Sequence, residues 1–145
     1  MKAVIGLWGH ANCGKSSTLI NLQEKLESLG ERIYKESHHG ETVKVYRYKN
    51  TVIGVAPGGD CLDVVNENIR IFKNLNCDIC ISATRTGGYG CIALEKYAKV
   101  LADDKVRWFR MPYMDEYKYL YDCVQDGVAD AIEECIECKI DRYEN

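Results

Sequence analysis

An apolar run, Ala3 to Trp8, leads into Gly9-His10-Ala11-Asn12-Cys13-Gly14-Lys15-Ser16, and a segment with Leu19, Leu22, Leu26 and Leu29 at helical spacing follows at once. The octapeptide satisfies the pattern G-x-x-x-x-G-K-[ST] in full. No other feature restricts the chain as much, because a glycine loop between a strand and a helix start lets successive backbone N–H groups turn inward around an anion. The helix start adds its positive end. In such a cradle Lys15 is expected to bridge the β- and γ-phosphates of a nucleoside triphosphate, and the Ser16 hydroxyl to take one coordination position on Mg²⁺. Gly9, Asn12, Cys13, Gly14, Lys15, Ser16 and Ser17 form the expected contact set.

Hydrophobic spacing extends the reading along the chain. Gly30 fits the C-terminal stop of the first helix, Arg32 to Lys35 reads as a short strand, and Ser37 to Glu41 reads as a polar loop. Val43 to Tyr48 and Thr51 to Val55 are β-rich, and the Lys49-Asn50 connection suits an antiparallel hairpin. After Pro57-Gly58-Gly59-Asp60, a stripe of Leu62, Val65, Ile69 and Phe72 predicts a second helix. Asp78 to Ala83 reads as a buried strand, Thr84 to Gly90 as a loop, and Ala93, Tyr97 and Val100 as the inner face of a third helix. Lys105 to Phe109 reads as the last strand. A helix is expected from about Asp115 to Arg142, with Leu120, Val124, Ala131 and Cys135 as core candidates and Gly127 as a point of interruption. Strands alternating with helices predict a three-layer α/β domain over 1–145, its sheet mostly parallel with one antiparallel hairpin strand.

Composition narrows the function classes. The 145 residues carry 19 basic and 22 acidic side chains, a formal charge of -3, so no global positive field draws in nucleic acid or an anionic membrane. Ala3 to Trp8 is too short to span a bilayer or to form a signal-peptide core, which leads to the expectation of a cytoplasmic protein. The 8 cysteines are then expected as thiols. Of the two C-x-x-C pairs, Cys77 and Cys80 border a strand, where an offset of three points side chains to opposite faces. Cys135 and Cys138 share a helix face and could donate two ligands.

At Asn12-Cys13-Gly14-Lys15-Ser16-Ser17, with Leu19, Asn21 and Leu22 following, the chain resembles the P-loop NTPase superfamily, and within it the TRAFAC-class GTPases. The hairpin between the first and second helices is similar to the G-domain arrangement. The resemblance implies the P-loop NTPase fold, ATP or GTP as substrate with Mg²⁺, and a monovalent-cation role for Asn12, which is equally readable as a turn residue. Val55-Ala56-Pro57-Gly58-Gly59 resembles the family's D-x-P-G, so Gly58 matches the glycine whose N–H meets the γ-phosphate. Val55 stands where the family has its Mg²⁺-linked aspartate. Asp60 and Asp63 are the nearest carboxylates that could compensate, and both also suit a helix start, Asp60 as N-cap. The guanine-reading N-K-x-D is missing too: Thr84-Arg85-Thr86-Gly87 occupies its position.

Other side chains carry alternatives. Arg85 lies beyond the end of a core strand, where a guanidinium can stack on a base or neutralise a γ-phosphate, or simply face solvent. His38 and His39 sit where G domains carry their first switch, or are simply solvated loop histidines, and Thr42 is a further candidate to serve Mg²⁺. Arg107 and Arg110 suit either phosphate or solvent. The tyrosines at 46, 48, 113, 117, 119 and 121 suit packing, or an interface with a protein partner or a second copy. The expected activity is slow ATP hydrolysis (base unspecified), with Lys15, Asp60 and Arg85 as catalytic candidates and Ser16 and Asp60 at the metal. The alternatives are a small-molecule or nucleotide kinase and a non-hydrolysing adaptor.

Overall fold

The computed structural model describes residues 2–10, 13–85, 87–112 and 120–144. The elements in chain order are β1 (Ala3–Gly9), α1 (Lys15–Leu29), β2 (Glu31–His38), β3 (Glu41–Tyr48), β4 (Thr51–Ala56), α2 (Leu62–Asn74), β5 (Ile79–Arg85), α3 (Tyr89–Ala102), β6 (Arg107–Arg110) and α4 (Tyr121–Glu144). The strands form a 6-stranded sheet in the order β2-β3-β4-β5-β1-β6. β4, β5, β1 and β6 pair in parallel, while β3 is antiparallel to both β2 and β4. Only β3 therefore runs against the rest, and the fold is α/β with a mixed sheet.

Side chains alternate across the strands and feed two cores. Ile5 and Leu7 of β1 join Leu19, Leu22 and Leu26 of α1 and Ala129, Ile132, Ile136 and Ile140 of α4. Val4 joins Val65, Ile69, Ile71 and Phe72 of α2 and Leu94, Tyr97 and Ala98 of α3. Each of the fully buried α1 leucines contributes about 1.5–3 kcal/mol, so this stripe fixes the roll of α1 and with it the direction of Lys15. The Gly30 N–H closes the helix on the Leu26 carbonyl at 2.9 Å, as its spacing suggests.

Several boundaries differ from the sequence expectation. Ser37 to Glu41 is not a loop. β2 runs on to His38, β3 starts at Glu41, and His39 (φ 51) and Gly40 (φ 80) alone make a left-handed hairpin turn. The expected hairpin at Lys49 (φ 49) and Asn50 (φ 59) is present, with asparagine tolerating the left-handed region that glycine would otherwise supply. Thr84 and Arg85 belong to the end of β5, because their register partners Trp8 and Gly9 extend the parallel ladder.

In α4 the buried stripe is Ala129, Ile132, Ile136 and Ile140, and Ala131 is exposed. Ile132, one position beyond the expected Ala131, brings more apolar area, while the expected Val124 and Cys135 pack partly buried against the same core. Gly127 does not interrupt it. Leu29 and Val100 also face solvent. Cys77 and Cys80 both enter the second core, since Cys77 precedes the strand and escapes its two-residue period.

Candidate functional site

The first turn of α1 begins at Gly14, whose φ of 92° is left-handed. A Cβ at this position would also stand 2.6 Å from the Gln125 amide nitrogen of α4. Gly14 thus lets the chain turn from β1 into α1 and lets α4 close over that turn. Thr18 reinforces it, donating from Oγ1 to the Gly14 carbonyl at 2.7 Å. Ala11 and Asn12, including the proposed monovalent-cation ligand, lie outside the described residues.

Lys15 is 5 % exposed. Its ammonium donates to the Gly9 carbonyl at 2.9 Å and to the Thr84 carbonyl at 3.0 Å, tying the ends of β1 and β5 together. Among the described residues its further charged partner is the Asp60 carboxylate, an ion pair at 3.7 Å. Burial holds the Lys15 pKa below its ordinary value; Asp60 and Cys13 oppose the shift and Arg85 adds to it. Burial raises the pKa of the Cys13 thiol, against the pull of Lys15.

Ser16 points to the opposite wall. Its hydroxyl lies 3.0 Å from Glu41 Oε1 and 3.2 Å from the Pro57 carbonyl. The strand that leads into Pro57-Gly58-Gly59 is β4, yet β5 stands between it and β1. The turn reaches the cradle by crossing the end of β5 at Gly59, where any Cβ would overlap the Ala83 carbonyl.

Asn68 holds this crossing from below. Wholly buried, it donates from Nδ2 to the Gly58 carbonyl at 2.8 Å and to Ser82 Oγ at 3.0 Å. Its Oδ1 is 2.8 Å from His38 Nε2. With both Asn68 amide hydrogens committed, His38 must donate there. Gln23, one more buried amide, donates from α1 to the carbonyls of Thr42 at 3.1 Å and Val55 at 3.0 Å.

Gly14, Lys15, Ser16, Ser17, Glu41, Asp60, Tyr121 and Gln125 line a cavity of about 440 Å³. Two of the sequence expectations need correction. Asp60 is not the N-cap of α2: that residue is the extended Cys61, which makes no side-chain cap bond, because the Gly59 crossing delays the helix by one position. Asp63 does lie in the first turn. Thr42 pairs with Ser37 on the surface at 2.8 Å and does not line the cavity, while its neighbour Glu41 does.

Arg85 closes β5 opposite Gly9, with an exposed side chain. Arg107 reaches Asp104 at 3.4 Å, and Arg110 lies over the Trp8 ring, 5.7 Å from its centroid. Among the tyrosines, Tyr46 is buried in the core, Tyr48 donates to Glu137 at 2.7 Å, and Tyr121 faces the cavity. Tyr113, Tyr117, Tyr119, Thr86 and the expected helix start at Asp115 lie outside the described residues.

Sequence reasoning missed Glu41, Gln23, Asn68, Tyr121 and Gln125 as parts of this site. The spacing of Tyr121 and Gln125, one helical turn apart, marks one face of α4 but not what it covers. Glu41 reads as one more charge beside a turn until the β2–β3 register is known.

The oxygen donors in the lining, the Ser16 hydroxyl and the carboxylates of Glu41 and Asp60, are of the kind a hard divalent cation takes. Among the described residues no three or more His, Cys, Asp or Glu side chains converge on a metal position. No helix among the described residues is long and apolar enough to cross a membrane. No protein-family model matches the chain, and no curated protein matches it either.

Proposed function

We propose that this chain is a P-loop nucleoside triphosphatase that binds a triphosphate with Mg²⁺ and hydrolyses it slowly. The observation that carries the reading is the buried Lys15 ammonium, fixed by two strand-end carbonyls, at the floor of a cavity entered past Gly14, Ser16 and Ser17. Burying an ammonium is costly, and with two neutral carbonyls and a mostly exposed carboxylate 3.7 Å away as its partners, Lys15 gains from a further anion placed in the cavity. The amides at the start of α1 and the helix dipole favour the same anion. Within this reading the six-stranded sheet and its helices are the P-loop NTPase fold.

In the proposed complex Lys15 reaches the β- and γ-phosphates, and the amides of Cys13 to Ser17 surround the β-phosphate. Ser16 would hold Mg²⁺, which would supply charge to neutralise the triphosphate. Gly58 lies near the γ-phosphate, and Asp60 orients the attacking water. Arg85, beside Lys15 on the neighbouring strand end, stabilises charge as the γ-phosphoryl leaves. The Gly58 to Asp63 segment senses that group, since its contacts to it are made and lost with the chemistry.

The test is equilibrium binding of ATP and GTP by the wild type and Lys15→Ala, with and without Mg²⁺, followed by phosphate release. The wild type should bind at least one triphosphate. Loss of the charged contact should weaken binding about tenfold to a hundredfold. Equal affinity in the two proteins would remove the proposed cradle.

A further inference from the structure

We propose that Glu41 is the carboxylate that holds the divalent cation against Ser16, a role for which Val55 offers no side-chain oxygen. The inference rests on the reading of the cavity as an Mg²⁺–triphosphate site. Val55 itself is wholly buried in the core beneath α1, so its side chain takes no part in the cavity.

The geometry of Ser16 carries the assignment. A serine hydroxyl has one hydrogen and two lone pairs, and here the charged Glu41 oxygen at 3.0 Å is closer than the neutral Pro57 carbonyl at 3.2 Å. With its hydrogen committed to that wall, the hydroxyl keeps its lone pairs for a cation. A hydroxyl that ligates a metal while donating to a carboxylate is more electron-rich and is locked in orientation.

Glu41 is also held in place by rigid elements. It follows the His39-Gly40 turn directly and pairs with His38 across the hairpin. The next residue, Thr42, has its carbonyl bound by Gln23, which lies two helical turns below Ser16 on the same side of α1. The Glu41 stem lies over Gly58, where a Cβ would come within 2.8 Å of Glu41 Cγ. Asp60 has a different partner: its carboxylate is 3.7 Å from Lys15 and its side chain is 70 % exposed.

Charge makes the cation necessary. Glu41 and Asp60 both line the cavity, where among the described lining residues Lys15 is the one cation, so a triphosphate entering without a divalent cation meets two like charges. Glu41 would therefore disfavour the bare nucleotide and favour its Mg²⁺ complex.

The deciding experiment titrates Mg²⁺ into the full chain with fluorescent, non-hydrolysable ATP and GTP analogues, and repeats it with Mn²⁺ read by electron paramagnetic resonance. Glu41→Gln retains an oxygen acceptor for Ser16, and Glu41→Asp serves as a second variant that keeps the charge. For Glu41→Gln the Mg²⁺ midpoint should rise about 10–100-fold while metal-free affinity stays level or improves. Glu41→Asp should recover part of that loss. Asp60→Asn should change affinity by the same factor with and without metal. An unmoved Mg²⁺ midpoint in Glu41→Gln, or a raised one in Asp60→Asn alone, would overturn the assignment while leaving the cradle intact. Absence of triphosphate binding by the wild type at any Mg²⁺ concentration would remove both.

Discussion

The Lys15 ammonium, on a side chain only 6 % exposed, stands 3.7 Å from the Asp60 carboxylate, on a side chain 70 % exposed. Such an asymmetric pair adds little to folding, because the outer partner is hydrated whether or not the contact forms. Asp60→Ala should lower the unfolding free energy by less than about 1 kcal/mol. Urea denaturation of both proteins measures it, and a loss several times larger would mean that Asp60 anchors the crossing at Gly59.

Lys15 should give the free protein a recognisable pH signature. Its folded pKa lies below the ordinary 10.5, with burial as the main cause. Between the folded and unfolded values the unfolded chain binds more protons, so stability rises with pH there. Below both values the cost of burying the charge is present in full. Wild type should therefore be weakest relative to Lys15→Met near neutral pH and regain ground as pH climbs toward 10. Denaturation of the two proteins at pH 7 and pH 10 checks the sign, and a gap that is constant or widens against wild type contradicts it.

Two glycines should respond oppositely to alanine. At Gly59 the new methyl would overlap the Ala83 backbone carbonyl, which cannot move without disturbing β5. Overpacking of this kind costs about 3 kcal/mol or more, and nucleotide affinity should fall with it. Gly127 lies within α4, and nothing stands within 4 Å of a Cβ built there. Gly127→Ala should raise stability by about 1 kcal/mol through helix propensity alone. Thermal melts of both variants supply the comparison.

Asn68 joins three segments that meet only in the folded chain: His38 at the tip of β2, Ser82 in β5 and the Gly58 carbonyl. Asn68→Leu leaves their buried polar atoms without this partner and should cost about 2–3 kcal/mol. Amide exchange of Gly59 should accelerate more than that of the α1 core. Uniform acceleration across both would reduce Asn68 to a general packing role.

The octapeptide from Gly9 to Ser16, with its apolar run before and leucine stripe after, was sufficient to foresee the β1–loop–α1 order, because those preferences are local: residue periodicity, a left-handed glycine and a helix stop at Gly30. The Lys49-Asn50 hairpin was legible for the same reason. The α4 stripe was not. Ala131 is as plausible as Ile132 by spacing, and only contact with α1 and the sheet selects the isoleucine, with Cys135 packing partly buried against the same core.

Residue types along the chain determined the alternation of strands and helices and the identity of Lys15 and Ser16 as the chemically distinctive pair. Tertiary structure alone decided that β5 lies between β4 and β1, that Gly59 crosses it, and that Glu41 meets Ser16 at 3.0 Å from 25 positions away. The physical reason is that strand order and hairpin register arise from long-range pairing and shared burial. Neither leaves a periodic trace in the residues that end up facing one another.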